Sequence, residues 1–314
     1  MSPRTPLILP GAKCQPDARG GLHPAPHTVD PPANDTELQA VHRWLIKQPL
    51  LTELRTATDE AVRYVLDGAR TWRFDLLDPK VDSDERSSVG TKLQYHIIER
   101  LGLAKVPPLD TQIVGLPVEI KGTVRGGYSW MIPREGQRQI TLLVSIDARN
   151  TRFVAWLMRT HRVWLSGGAG NQDKKRSPLV DAVRNFARPL VDWTDLPPEP
   201  LRLLTREQLN VVFASSGLRN RAVALFRFLP DIVIPRSSLA TVGTGLHDPM
   251  KRFREAKGIL RSRFDLIDLV GKWVDERQAA KKFGHNIGNE DWVAVPRERF
   301  AELSVAIPPL RTSN

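Results

Sequence analysis

The stretch Leu116-Pro117-Val118-Glu119-Ile120-Lys121-Gly122, LPVEIKG, sets an acid and a base two residues apart between aliphatic side chains. Alternate side chains of a β-strand point to opposite faces, so Val118 and Ile120 share one side and Glu119 and Lys121 the other. Two readings fit: an ordinary strand whose solvated ion pair is worth under about 1 kcal/mol, or a reactive pair at the edge of a sheet. The surrounding sequence has to choose. Just upstream, PPLD sets Asp110 behind Pro107 and Pro108, and Gly115 marks a turn between that acid and the strand.

Working outward, helical patterning begins at DTELQAVHRWLIKQ, where Asp35 or Thr36 can cap, and runs through LTELRTATDEAVRYVLDGA to a stop signal at Gly68. A third helix, GTKLQYHIIERLGL, carries Leu93, Ile97 and Leu101 on one stripe and ends near Gly102. Short β-like runs follow: TQIVGL, PVEIKGT, QITLLVSIDA and RFVAWLMRTH. Helices leading into a small mixed sheet predict an α/β or α+β fold. The pattern breaks at VDWTDLPPEPL, which places a linker over 193–200 between a domain at 37–192 and another at 201–314. The second half reads as helices TREQLNVVFASS and LRNRAVALFRFL, strand SSLATVG, helix DPMKRFREAK, strand FDLIDLVG, helix DERQAAKKFG and strand WVAVP. Short helices followed by a small β element suit a winged-helix or helix-turn-helix module. Residues 1–36 hold eight prolines and three glycines without a hydrophobic period, the pattern of a disordered arm.

Charge narrows the partner. Across 314 residues, 46 Lys and Arg against 35 acids give a net +11, which favours a polyanion. Between 197 and 263, twelve Lys/Arg face five Asp/Glu, so +7 of that charge sits where the binding module is expected. No apolar run approaches the roughly 18 residues of a membrane span, and the apolar core of PLILPGAKC is too short for a signal peptide. One cysteine, Cys14, excludes a disulfide framework and a cysteine zinc site and fits a reducing cytoplasm. The histidines show no H-E-x-x-H spacing.

Cleavage of a phosphodiester by a metal nuclease needs carboxylates to hold a divalent cation beside the scissile phosphate, and an ammonium to steady the attacking water and the developing charge. Mg²⁺ takes oxygen ligands and keeps several waters. Asp110, then Glu119 and Lys121 on one strand face, supply such a set, in the order of the motif Pro-Asp followed by Asp/Glu-x-Lys but with Leu109 between the proline and the acid.

The runs VGTKLQYHIIERL, LDTQIVGLPVEIKG, YSWMIP and FVAWLM resemble, in order and spacing, the nuclease domain of NaeI-type restriction endonucleases. FASSGLRNRA, LATVG, DPMKRFR and FDLIDLVG resemble the other domain of that family, so the likeness covers roughly residues 40–300. The resemblance implies a restriction-endonuclease-like mixed-sheet domain, a Mg²⁺-dependent type II activity on double-stranded DNA, a homodimer, and a C-terminal domain that binds a second, effector copy of the site. It implies that Asp110 and Glu119 hold metal and that Lys121 is the motif lysine. The helix position that carries a further acid in the family is Gln94 here, whose amide can orient a water but brings no charge. Two alternatives follow: a DNA-binding protein that has lost cleavage through Gln94, or a repair nicking enzyme.

For the DNA backbone, the sequence offers Lys174, Lys175 and Arg176 in SGGAGNQDKKRS, which reads equally as a solvated loop. Lys251, Arg254, Lys257 and Arg261 lie along DPMKRFREAKGILRSR, and Arg219, Arg221 and Arg236 open nearby elements; an exposed charged helix is the competing reading. Tyr128 and Trp130 read as packing residues ahead of an approach to DNA, and His96 as a surface or packing residue ahead of a catalytic one.

Overall fold

The computed structural model describes residues 9–14, 26–124, 128–166, 175–214, 217–245 and 248–311. The chain divides into one unit of Met1–Val65 with Leu76–Leu196 and another of Leu66–Asp75 with Pro197–Asn314.

In the first unit, β1 (Lys13–Cys14) pairs with β2 (His27–Thr28), and α1 (Thr36–Leu45) and α2 (Leu50–Leu66) follow. Asp35 caps α1 by accepting Leu38 N at 2.9 Å. After α3 (Gly68–Thr71), which belongs to the second unit, the chain returns with α4 (Ser83–Arg100). Then come β3 (Thr111–Ile113), β4 (Leu116–Thr123), β5 (Ile140–Asp147), β6 (Arg152–Arg159), α5 (Val180–Phe186) and β7 (Arg188–Asp195).

The sheet is five-stranded in the order β3-β4-β5-β6-β7, antiparallel except for the parallel pair β4 and β5. This mixed sheet is consistent with a restriction-endonuclease-like fold. β5, ITLLVSID, is buried along nearly its whole length, as a central strand covered on both faces must be. Ile113 pairs with Leu116 around Val114 and Gly115, both at positive φ, a two-residue hairpin whose second central position glycine occupies without steric cost.

Several expectations need correcting. α4 begins at Ser83, capped by Asp82 accepting Asp84 N and Glu85 N, and Gly90 lies inside the helix. Part of the N-terminal arm is packed: Cys14 and Val29 are buried in a cluster with Trp130, Trp164 and Met158. Arg159 also grips Asp35 at 2.5 and 2.9 Å, so apolar burial and an ion pair offset the entropy of ordering this segment. Residues 1–8 and 15–25 of the arm lie outside the described residues. The linker placed at 193–200 begins inside β7, a strand at the edge of the sheet whose polar, partly exposed side chains hide its periodicity.

The second unit contains α6 (Arg206–Ala214), α7 (Leu218–Phe228), α8 (Arg236–Val242), α9 (Pro249–Arg263), β8 (Leu266–Val270), α10 (Val274–Lys282), β9 (Trp292–Pro296) and α11 (Arg297–Glu302). SSLATVG is helical, not a strand: α8 sets Ser238, Leu239 and Val242 into the core at helical spacing, and tertiary packing overrides the β-branched residues. β8 and β9 pair antiparallel and are joined through α10. Phe226, Phe253 and Trp292 lie at the centre of the core, and Trp72 and Phe74 from the 66–75 segment pack against it.

Candidate active site

The hairpin β3–β4 builds the site. Thr111 pairs with Val118, so the next positions outward, Asp110 and Glu119, face each other on one side of the ladder, with Lys121 two residues on along the same face. The segment around Asp110 is tied to the turn that precedes it. The Asp110 carbonyl accepts Val106 N at 3.3 Å, and the hydroxyl of Thr111 donates to Ala104 O at 2.7 Å. Pro107–Pro108, just before it, is a cis peptide.

Asp110 and Glu119 are 4% and 3% exposed. Ile120 N donates to Asp110 Oδ2 at 2.9 Å. Lys121 Nζ pairs with Glu119 Oε1 and lies 3.7 Å from Asp110 Oδ2, so one ammonium spans both acids. Burial pushes the Glu119 carboxyl above its ordinary value; the charge of Lys121 opposes this, and the carboxylates of Asp110 and Glu135 add to it. A carboxyl in that position gains from any further positive charge.

Two close approaches hold β4 in place. On one side, a Cβ on Gly90 would lie 2.6 Å from Gly122 O, so α4 and β4 touch backbone to backbone. On the other, a Cβ on Gly136 would lie 3.3 Å from Glu119 Cγ, and Gly136 O is anchored by the Thr160 hydroxyl at 2.8 Å. The strand that carries Glu119 and Lys121 is therefore seated between a helix and a loop.

Gln94 is half-buried on α4, one turn beyond Gly90, and among the described residues its amide makes no hydrogen bond to Asp110, Glu119 or Lys121. Among the described residues no group of three or more His, Cys, Asp or Glu is placed to hold a metal ion. The pair nevertheless fits a hard divalent cation, because Mg²⁺ sites use one or two carboxylates and complete their shell with water and phosphate.

The sequence reading missed Lys105. Its Nζ donates to Asp110 Oδ1 at 2.5 Å and lies 5.5 Å from the centre of the Tyr95 ring. The signal was present as a lysine five residues before the acid in AKVPPLD, at the mouth of the turn that positions it.

The other named residues fall into distinct places. Trp130 is buried, stacks on Tyr128 and donates its indole N–H to Val144 O at 2.8 Å, so both are packing residues. His96 lies 3.4 Å from Glu60 beside Tyr64. Lys174 lies outside the described residues. Lys175 is half-buried, and Arg176 donates to Ser166 O at 3.3 Å.

In the second unit, Arg219 and Lys251 are exposed, Arg254 is half-buried, and Arg236 is exposed in a pair with Glu290. Arg221 donates to Val242 O at 3.3 Å and Arg261 to Pro308 O at 2.8 Å. Lys257 is not a surface contact. It follows Phe253 by one turn on the inner stripe of α9 and is 0% exposed, with Nζ 3.2 Å from Glu276 and 3.6 Å from Asp268.

No curated protein matches the chain. A family model described as restriction endonuclease NaeI matches residues 47–304, a span that contains Gln94, Asp110, Glu119 and Lys121. With that match covering most of the chain, the chain belongs to the NaeI restriction endonuclease family, type II site-specific endonucleases that hydrolyse DNA.

Proposed function

We propose that the protein cuts both strands of a specific DNA site in a Mg²⁺-dependent hydrolysis carried out by Asp110, Glu119 and Lys121. The observation that carries this reading is the pairing of two nearly buried carboxylates across a hairpin with one ammonium spanning them. Asp110 and Glu119 would hold the cation. When bound, it supplies Lewis-acid polarisation of the scissile phosphate. The Lys121 ammonium orients a water so that its oxygen bonds to phosphorus as a backbone P–O bond breaks; the proton that the water sheds passes through solvent to the departing alkoxide oxygen, and the ammonium offsets the negative charge that builds on the phosphoryl oxygens. The hairpin and the two glycine contacts keep these groups in register before DNA arrives, so little reorganisation is needed at the moment of reaction.

The second unit acts as the DNA-binding module, with exposed Arg219, Arg236 and Lys251 on phosphates and a second copy of the site as effector. The active assembly is a homodimer, each protomer cutting one strand. Among the described residues no helix is long and apolar enough to cross a membrane. Digestion of supercoiled plasmid with Mg²⁺, with and without a site-bearing duplex oligonucleotide, tests this reading. Linear product formed faster with the oligonucleotide supports it. A wild type that cuts no faster than Lys121→Ala rejects the assignment of the site, and accumulation of nicked circles alone rejects the double-strand reading.

A further inference from the structure

The acid pair holds two ammonium groups, and they are not equivalent. Lys121 touches both carboxylates and its side chain is 22% exposed, whereas Lys105 touches only Asp110 and is 40% exposed. Of the two Asp110 oxygens, Oδ2 is engaged by Ile120 N, while Oδ1 is taken by Lys105. The two carboxylates are matched by the two ammoniums in contact with them, Glu135 acting on Glu119 through its charge alone, and Gln94 adds no charge to that balance. An approaching divalent cation therefore meets little net attraction until one ammonium leaves. Lys105 is the one with less to lose, since it gives up a single half-exposed ion pair. It also has another seat, because Tyr95, which follows Gln94 on α4, turns its ring face toward the same ammonium.

We propose that Lys105 is a resident counter-cation of the acid pair, holding Asp110 Oδ1 until a divalent cation displaces it. The inference rests on the metal-site reading of Asp110 and Glu119 and deepens it: Lys105 sets the metal concentration at which the site loads. Metal entry exchanges an ammonium for a dication at one carboxylate oxygen, and the released side chain moves to the Tyr95 ring. Lys105 is thus a residue that sets metal affinity, not one that touches the reacting atoms.

Titration of the DNA-free full-length protein with Mn²⁺, reading the electron paramagnetic resonance signal of the free ion, tests this without recourse to cleavage. Lys105→Met keeps the apolar stem and removes the charge, and it should bind Mn²⁺ about five- to tenfold more tightly than wild type, the scale of one released ion pair and one lost repulsion. Lys105→Arg, whose planar fork grips a carboxylate more firmly, should bind more weakly than wild type. Asp110→Asn should abolish the tight site in both the wild-type and Lys105→Met backgrounds. Near-ultraviolet circular dichroism verifies folding, and Lys105→Gln replaces the Met variant if that spectrum is lost. If Asp110→Asn abolishes binding but Lys105→Met binds no more tightly than wild type, Lys105 is not a counter-cation and the metal site stands. If wild type and Lys105→Met both fail to bind Mn²⁺, the metal-site reading falls and this inference falls with it.

Discussion

Gly90→Ala separates two opposing effects at one position. In an open helix interior, alanine for glycine stabilises by about 0.5–1 kcal/mol, because glycine has more backbone freedom to lose. At position 90 the new methyl would sit 2.6 Å from Gly122 O and 3.2 Å from Gly122 C, and backbone atoms cannot rotate away as a side chain could. Relieving the overlap requires α4 and β4 to separate, a form of overpacking that costs about 1–3 kcal/mol. The penalty exceeds the gain, so the first unit should lose up to about 2 kcal/mol. The effect on activity should be larger than the effect on stability. β4 carries Glu119 and Lys121, and a displacement approaching 1 Å at a reacting group can cost about a hundredfold in rate.

Gly258 in α9 is the matched control, since a Cβ there meets nothing within 4 Å. Gly258→Ala should stabilise the second unit by the ordinary helical increment. Hydrogen exchange of α4 and α9 peptides reads the two units separately, and single-turnover cleavage reads the site. A Gly90→Ala protein as stable and as active as wild type would refute the argument that this contact seats the strand.

Other expectations concern groups whose burial decides their role. Lys257→Met takes the nearest cation from the buried Asp268 and leaves Glu276 with Arg311 alone, and should destabilise the second unit by about 3–5 kcal/mol in chemical denaturation, while Lys251→Met leaves stability unchanged and lowers DNA affinity with a shallower salt dependence. Burial raises Asp268 to about 6, above its value of 3.8 in the unfolded chain, so its contribution is complete below pH 4 and is lost as pH rises through 6. Asp268→Asn, which imitates the protonated acid, should therefore gain about 1–3 kcal/mol relative to wild type between pH 4 and pH 7 in parallel urea titrations, and a constant difference would contradict the assignment. Deleting residues 1–34 removes the buried Cys14 and Val29 and should lower the stability of the first unit by about 3 kcal/mol or more, seen as earlier proteolysis of its peptides.

The geometry of the candidate site was legible where short-range rules apply. Alternation placed Glu119 and Lys121 on one face, Gly115 marked the turn, and together these put Asp110 opposite Glu119. What escaped was set by contacts distant in sequence. Gly90 reads as a helix start by composition, but it is kept small by the strand it touches some thirty residues later. Lys257 reads as a surface cation on a basic helix, and only the folded unit brings Asp268 and Glu276 around it. The 66–75 segment looks like the end of a helix pair, yet Trp72 and Phe74 find their core in residues beyond 200. Lys105 was overlooked because its importance depends on the turn geometry that returns it to Asp110, not on any spacing pattern.

The most direct test of the account is single-turnover cleavage by Glu119→Gln with Mg²⁺, alongside its affinity for the same DNA measured in Ca²⁺. Glutamine keeps the shape of the side chain and removes the charge that, with Asp110, would hold the cation. The expected rate is at least about a thousandfold below wild type, a loss on the scale of removing an electrostatic element of a hydrolytic site, with DNA affinity unchanged. A rate within tenfold of wild type, or a loss matched by equal loss of DNA binding, would contradict the claim that this acid pair does the cutting.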